Sequence, residues 1–281
     1  MNKPNSSPVV LITGCNSGIG QQLALAFANK GFKVVATARS VESLDQLTNQ
    51  HDNIIALRLE LGDMESFERF RDTVVEHTGG RLDILVNNAG THYAATAMDL
   101  EVDAAAKLFS INFFAVMRLC QLFVPLLRNA PRGRIVQIGS VTRDVPVVWQ
   151  CVYNASKAAL SQYTKTLRLE LKPLGIEVIE VVTGFVRSNI LQHGLYAPDD
   201  SFYLPIKSTV ERVKYEGNRN GMPPEVYAQS IINKLLQERT SPEIWEGKLA
   251  WWLQFLVTFC PLWLLNWLVS RQFQLHLVGS P

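Results

Sequence analysis

Tyr153 and Lys157 stand four positions apart in "VYNASKAAL", a stretch that otherwise has the spacing of an amphipathic helix. Residues i and i+4 of a helix share a face, about 6 Å apart along the axis, so the phenol and the ammonium point the same way. An ammonium beside a phenol favours phenolate and lowers its pKa from about 10, letting the tyrosine exchange a proton with a carbonyl or alcohol oxygen near neutral pH. The competing reading is a polar pair with both heads in solvent. Ser140 lies thirteen positions upstream of Tyr153, closing "GRIVQIGS". That is a buried-strand pattern, and ligands gather at the carboxy ends of such strands in an open α/β sheet.

A second constellation lies near the amino end. "VVLITGCNSGIGQQLALAF" puts Gly14, Gly18 and Gly20 at a strand-to-helix turn, where backbone amides and the positive helix end can hold a pyrophosphate that a Cβ would obstruct. The spacing is G-x-x-x-G-x-G, and the alternative is a glycine-rich turn with no ligand. The next strand pattern ends "VVATARS". An acidic residue there would accept from the ribose hydroxyls of NAD, whereas Arg39 offers a guanidinium to the 2′-phosphate of NADP. The cofactor expected is therefore NADP(H), against the alternative that Arg39 is a plain surface arginine.

Both constellations need a scaffold that ends strands at one edge. From residue 8 the chain alternates short β-branched runs with helical periods: "VVLIT", "GQQLALAFANK", "FKVVATA", "SVESLDQLTNQ", "NIIALRL", "MESFERFRDTVVEH", "LDILVN". This predicts an α/β fold, a Rossmann-type doubly wound parallel sheet in a single domain. A long helix is expected around 99–128, a second through the Tyr153 stretch until Pro173 and Gly175, and a sixth strand at "GIEVIEVV". Residues 190–222 lose periodicity and read as a substrate-covering loop. Its His193, Tyr196, Phe202, Tyr203 and Tyr215 are candidates for a partly aromatic pocket or for loop packing. The domain bounds expected are 1–245 for the catalytic unit and 246–281 for an apolar helical extension.

Composition narrows the partners. Lys and Arg number 27 against 25 acidic residues, a net charge of +2 with no basic run, so no nucleic acid is expected. Cys15, Cys120, Cys151 and Cys260 lack any disulfide or ligand spacing. They read as small hydrophobes in a reducing compartment, with no metal site. The amino terminus carries no signal-peptide pattern. The location expected is cytoplasmic.

Taken in order, "TGCNSGIG", "NNAG" at 87–90, Ser140 and "YNASK" at 153–157 resemble the short-chain dehydrogenase/reductase family over roughly residues 8–190. Within it, "VVATAR" and the carboxy-terminal segment are most similar to the fungal 1-acyl-dihydroxyacetone-phosphate reductase group and its secondary-metabolism relatives. The resemblance implies a catalytic set of Ser140, Tyr153, Lys157 and Asn112. Tyr153 would be the general acid, Lys157 would hold the nicotinamide ribose, and Ser140 would bond the substrate oxygen. Asn112 would support a proton-relay water, or else be an amide bonded to backbone. The implied cofactor residues are Gly14, Asn16, Ser17, Gly18, Ile19, Gly20, Arg39, Glu60, Leu61, Asn88, Ala89, Gly90, Tyr153, Lys157, Val186 and Ser188.

Two departures from the family pattern stand out. Thr183 replaces the proline of a Pro-Gly pair in "VVTGFVRS", which bears on the rigidity of that loop, and Glu60 stands where an aspartate is usual. The function expected is an NADPH-dependent reductase acting on a ketone of a hydrophobic substrate, a lipid or a secondary metabolite, or the reverse alcohol oxidation. The alternatives are a non-redox isomerase or dehydratase and a silent dinucleotide-binding protein. The resemblance also implies a homo-oligomer, dimer or tetramer, built on the helices at 99–128 and 151–172.

Residues 249–270, "LAWWLQFLVTFCPLWLLNWLVS", hold no charge between Lys248 and Arg271. Pro261 divides them, tryptophans are spread along them, and Gln254 and Asn266 interrupt them, which argues against one spanning helix. Two short helices meeting at Pro261 are expected, with Pro261 in the first turn of the second. Their aromatic face would sit in a membrane interface, at the cytosolic face of the endoplasmic reticulum or of lipid droplets, or else pack as core.

Overall fold

A computed structural model describes residues 7–191 and 194–279. Strands β1 (Val9–Ile12), β2 (Lys33–Ala38), β3 (Ile54–Arg58), β4 (Ile84–Asn87), β5 (Arg134–Ile138), β6 (Glu177–Thr183) and β7 (Glu243–Glu246) form one sheet in the order β3-β2-β1-β4-β5-β6-β7. Every pairing is parallel. Both faces of a parallel sheet are covered, so the strands are apolar on both sides. In β1, Val10 and Ile12 pack with α1 (Gly18–Asn29) and α8 (Pro224–Leu235), while Val9 and Leu11 face α3 (Phe67–Thr78), α5 (Ala115–Leu127) and α6 (Cys151–Leu171). The two-residue strand period thus feeds two cores. The buried residues of α1, Gly20, Leu23, Ala24, Phe27 and Ala28, recur at helical spacing. This is the doubly wound Rossmann arrangement.

Two of these expectations need correction. The helix at 99–128 begins at Val102, and between α4 (Val102–Phe109) and α5 a π segment, Ser110–Phe114, breaks the regular ladder. Such bulges collect at functional sites, and this one carries Asn112. By length and composition Val102–Leu127 could cross a membrane, but half of its apolar window is buried inside the molecule. The stretch 190–222 is not all loop, because Leu204–Arg219 forms helix α7, with a proline in its first turn. Its buried stripe, Ile206, Thr209, Val210 and Lys214, mixes polar with apolar types and hides the periodicity.

The chain leaves β7 through Gly247 and through Leu249, whose φ of +65° is uncommon for a branched side chain. It then forms α9 (Ala250–Phe259) and α10 (Leu262–Gln272). Pro261 sits at the N-cap of α10, one position before its first turn.

Candidate active site

A cavity of about 1260 Å³ opens along the carboxy ends of the strands, at the switch point where the strand order reverses between β1 and β4. All the residues expected to hold the dinucleotide line it. The turn before α1 is shaped for a close backbone approach: Gly14 has φ +72°, and a Cβ on Gly20 would fall 2.1 Å from the Gly14 carbonyl oxygen. The first turn of α1 holds no acidic residue and Ser17 makes no side-chain cap, so its amides and the positive helix end are available to an anion. The "NNAG" loop is tied against this turn. Asn88 Nδ2 donates to Thr13 O at 2.8 Å and Gly14 O at 3.1 Å, and Thr13 Oγ1 accepts from the Asn88 and Ala89 amides.

Arg39 is exposed at the mouth beside Ser40 and Ser43. Its carbonyl accepts from Arg58 Nε at 3.1 Å, and Arg58 itself does not line the cavity. Glu60 accepts from the Gly62 amide at 3.2 Å. These residues fit a pyrophosphate-bearing dinucleotide on donor chemistry and on space.

Ser140, Tyr153 and Lys157 line one stretch of the same cavity. Ser140 caps a short 3₁₀ turn, Val141–Arg143, and its Oγ accepts from the Thr142 amide at 3.2 Å. Lys157 is buried and its Nζ donates to the Ile138 carbonyl at 2.9 Å, leaving further N–H groups for the cavity. The expectation that Lys157 lowers the Tyr153 pKa is overturned. Burial pushes the phenol up to about 12 against the hydroxyl of Ser140, which pulls it down. The ammonium is turned to Ile138, 5.8 Å from the ring centroid. Burial likewise lowers Lys157 to about 8, opposed by the Glu180 carboxylate. Desolvation is the largest cause of both shifts, and Lys157 is not among the groups that shift Tyr153.

Asn112 is buried and does not line the cavity. Its Oδ1 accepts from the Thr91 amide at 2.8 Å, and its Nδ2 donates to Thr91 O at 2.9 Å and Ser156 Oγ at 3.2 Å. The amide therefore pins the loop after β4, in line with the backbone-bonded alternative.

Sequence reasoning missed several neighbours. The His92 ring packs 4.9 Å from that of Tyr153. Behind Ser140, Arg143 binds the buried Glu180 and reaches Glu243 at 2.7 Å, while Ser161 donates to Glu180 at 2.9 Å. Thr183 replaces the lost proline by a different device: its hydroxyl shares a 2.6 Å hydrogen bond with that of the fully buried Tyr227. The aromatic candidates are corrected. Tyr196, Phe202, Tyr203 and Tyr215 do not line the cavity, and His193 lies outside the described residues. The apolar wall is mostly aliphatic: Val147, Val210, Val213, Leu253, Leu256 and Leu265 contribute to it. Cys15 and Cys120 are buried, and burial pushes both thiols up to about 12, so they are inert. Among the described residues no cluster of His, Cys, Asp and Glu could hold a metal.

Comparison with known proteins agrees with this geometry. A family model described as short chain dehydrogenase matches residues 8–195. A short-chain dehydrogenase of Pyricularia oryzae is 38% identical over 286 residues, covering 99% of each chain. The NADPH-dependent 1-acyldihydroxyacetone phosphate reductase of Schizosaccharomyces pombe is 39% identical over 257 residues, covering 86% of each. The crystal structure of a short-chain dehydrogenase from Streptomyces avermitilis superposes with a TM-score of 0.80 at 29% identity, covering 98% of this chain and 96% of that one.

Proposed function

The chain belongs to the short-chain dehydrogenase family and is an NAD(P)-dependent oxidoreductase acting on CH–OH/C=O groups, and on that premise we propose that it reduces a ketone on a hydrophobic substrate at the expense of NADPH. The observation that carries the reading is the convergence of Ser140, Tyr153 and Lys157 on a cavity that Val147, Val210, Val213, Leu253, Leu256 and Leu265 also line. Tyr153, neutral at pH 7 as a phenol ordinarily is, donates its proton to the carbonyl oxygen as negative charge develops there. Ser140 Oγ accepts from the Thr142 amide, so its own proton is available to the same oxygen. Lys157, anchored on Ile138 O, would offer its remaining N–H groups to the ribose, and solvent returns the proton that the phenol gives up. The dinucleotide, when bound, supplies the hydride.

Arg39 is the basis for NADPH over NADH, because a guanidinium pairs with a 2′-phosphate and gains nothing from a ribose hydroxyl. The same reading includes alcohol oxidation with NADP⁺ as the reverse reaction, and a homo-oligomer. Exposed Val102, Phe114 and Leu169 on α4, the π segment and α6 are apolar surface suited to a partner subunit. It includes a cytoplasmic location as well. NADPH and NADH consumption over a panel of hydrophobic ketones tests the reading. Loss of NADPH absorbance with at least one ketone, and slower loss of NADH, supports it. Dinucleotide binding with no turnover of any ketone would favour the isomerase or the silent binder.

A further inference from the structure

The α9–α10 hairpin has two chemically distinct faces. Leu253 and Leu256 of α9, with Leu265 and Val269 of α10, line the cavity. The opposite face carries Trp251, Phe259 and Trp263, which are 66%, 72% and 69% exposed. Packing inside this molecule accounts for the first face and leaves the second as a large exposed apolar patch, far beyond single scattered residues. The helices, of 10 and 11 residues, reach only about 15–17 Å, and the hydrocarbon core of a bilayer is about 30 Å thick. Neither can span it. Tryptophan-rich helices of this kind lie in the headgroup boundary.

Charge identifies the occupant. After Glu246 the chain has no acidic side chain, and Lys248 and Arg271, both exposed, flank the hairpin. The Arg271 guanidinium sits 5.4 Å from the Trp267 ring, at the edge of the patch. An isologous dimer through this face would offer Lys248 and Arg271 of each copy no carboxylate of the facing segment to pair with. An anionic headgroup layer supplies those counter-charges. We propose that the outer face of the α9–α10 hairpin docks on the surface of an anionic phospholipid bilayer, and that an amphiphilic ketone passes from that surface along the inner face into the cavity. The second half rests on the reductase reading above.

The test is flotation of the full chain with vesicles of equal parts phosphatidylcholine and phosphatidylserine, beside vesicles of phosphatidylcholine alone. The parent is expected to float with the mixed vesicles, less with the neutral ones and less at high salt, with its tryptophan emission quenched by brominated lipid. Trp251→Glu combined with Trp263→Glu should abolish flotation. The pair should leave turnover of a short water-soluble ketone at the parent rate, and remove the rate gain that vesicles give with a long-chain ketone. A parent that never floats, or a variant that floats as the parent does, overturns the docking. So does a parent that sediments as a dimer which the substitutions split. Should flotation be lost while the long-chain ketone reacts unchanged, the delivery half fails. If the parent floats, the variant does not, and no ketone reacts with either protein, the reductase reading fails and the docking stands.

Discussion

Arg143 reaches from the turn that follows Ser140 to the buried carboxylate of Glu180 on β6, and the same guanidinium holds Glu243 on β7 at 2.7 Å. Glu180 is fully buried and its Oε1 has no hydrogen-bond partner. A Cβ on Gly139, the residue before Ser140, would come within 2.6 Å of that oxygen. The pair therefore fixes the backbone that presents Ser140 without touching the cavity itself. Burial pushes the Glu180 carboxyl up, and the Arg143 charge opposes this.

Arg143→Met would leave Glu180 buried without its cation. Removing one partner of such a pair costs roughly 3–5 kcal/mol, read as a lower denaturant midpoint. Glu180→Gln keeps the shape and leaves Arg143 its contacts with Glu243 and Asp144, so it should cost less. Both should lower kcat more than they raise KM, because the Ser140 turn loosens. A kcat equal to the parent's in Arg143→Met would show that the pair only supports the fold.

Thr183 and Tyr227 give a cleaner cycle. Thr183→Val leaves the buried Tyr227 hydroxyl without this partner, and Tyr227→Phe does the converse, each costing about 1–3 kcal/mol. The double variant removes both groups and should cost less than the sum of the singles, by an amount that chemical denaturation resolves. Strict additivity would mean that the 2.6 Å contact does not join the loop to α8.

The sheet, the glycine turn and the Tyr153/Lys157 pair were legible because their signals are local: β-branched runs, three glycines, an i, i+4 spacing. Arg143 and Glu180 are 37 positions apart, and nothing in either neighbourhood announces the other. α7 was read as loop because its buried stripe includes Thr209 and Lys214. The direction of the Tyr153 shift is hidden for the same reason: an ammonium four residues away is visible in the sequence, whereas the desolvation that raises the phenol comes from residues brought together only by the fold.

Lys157 carries a pH signature. Its pKa falls from 10.5 to about 8 on folding, so between those values the unfolded chain binds more protons than the native one. Stability contributed by this residue therefore rises with pH across that window. The charge it offers the dinucleotide is lost as pH climbs through about 8, so NADPH affinity should fall there. Titrating the dissociation constant from pH 7 to 9 in the parent and in Lys157→Met checks this. A similar decline in the variant would assign the titration to another group.

Arg39→Asp should invert cofactor preference, since a carboxylate repels a 2′-phosphate and accepts from ribose hydroxyls. A lost charge-assisted contact is worth roughly 1.5–3 kcal/mol, or about 10- to 100-fold in kcat/KM for NADPH. If the ratio of specificity constants for NADPH and NADH stayed at the parent's value, Arg39 would point away from the ribose.

The most direct test of the account is Tyr153→Phe, assayed for NADPH-dependent ketone turnover and, separately, for NADPH binding. The ring that packs on His92 remains and only the hydroxyl is lost. Turnover should fall by about 10²–10⁴-fold while the dissociation constant for NADPH stays near the parent's value. A variant that reduces the same ketone at the parent rate would contradict the assignment of Tyr153 as the proton donor.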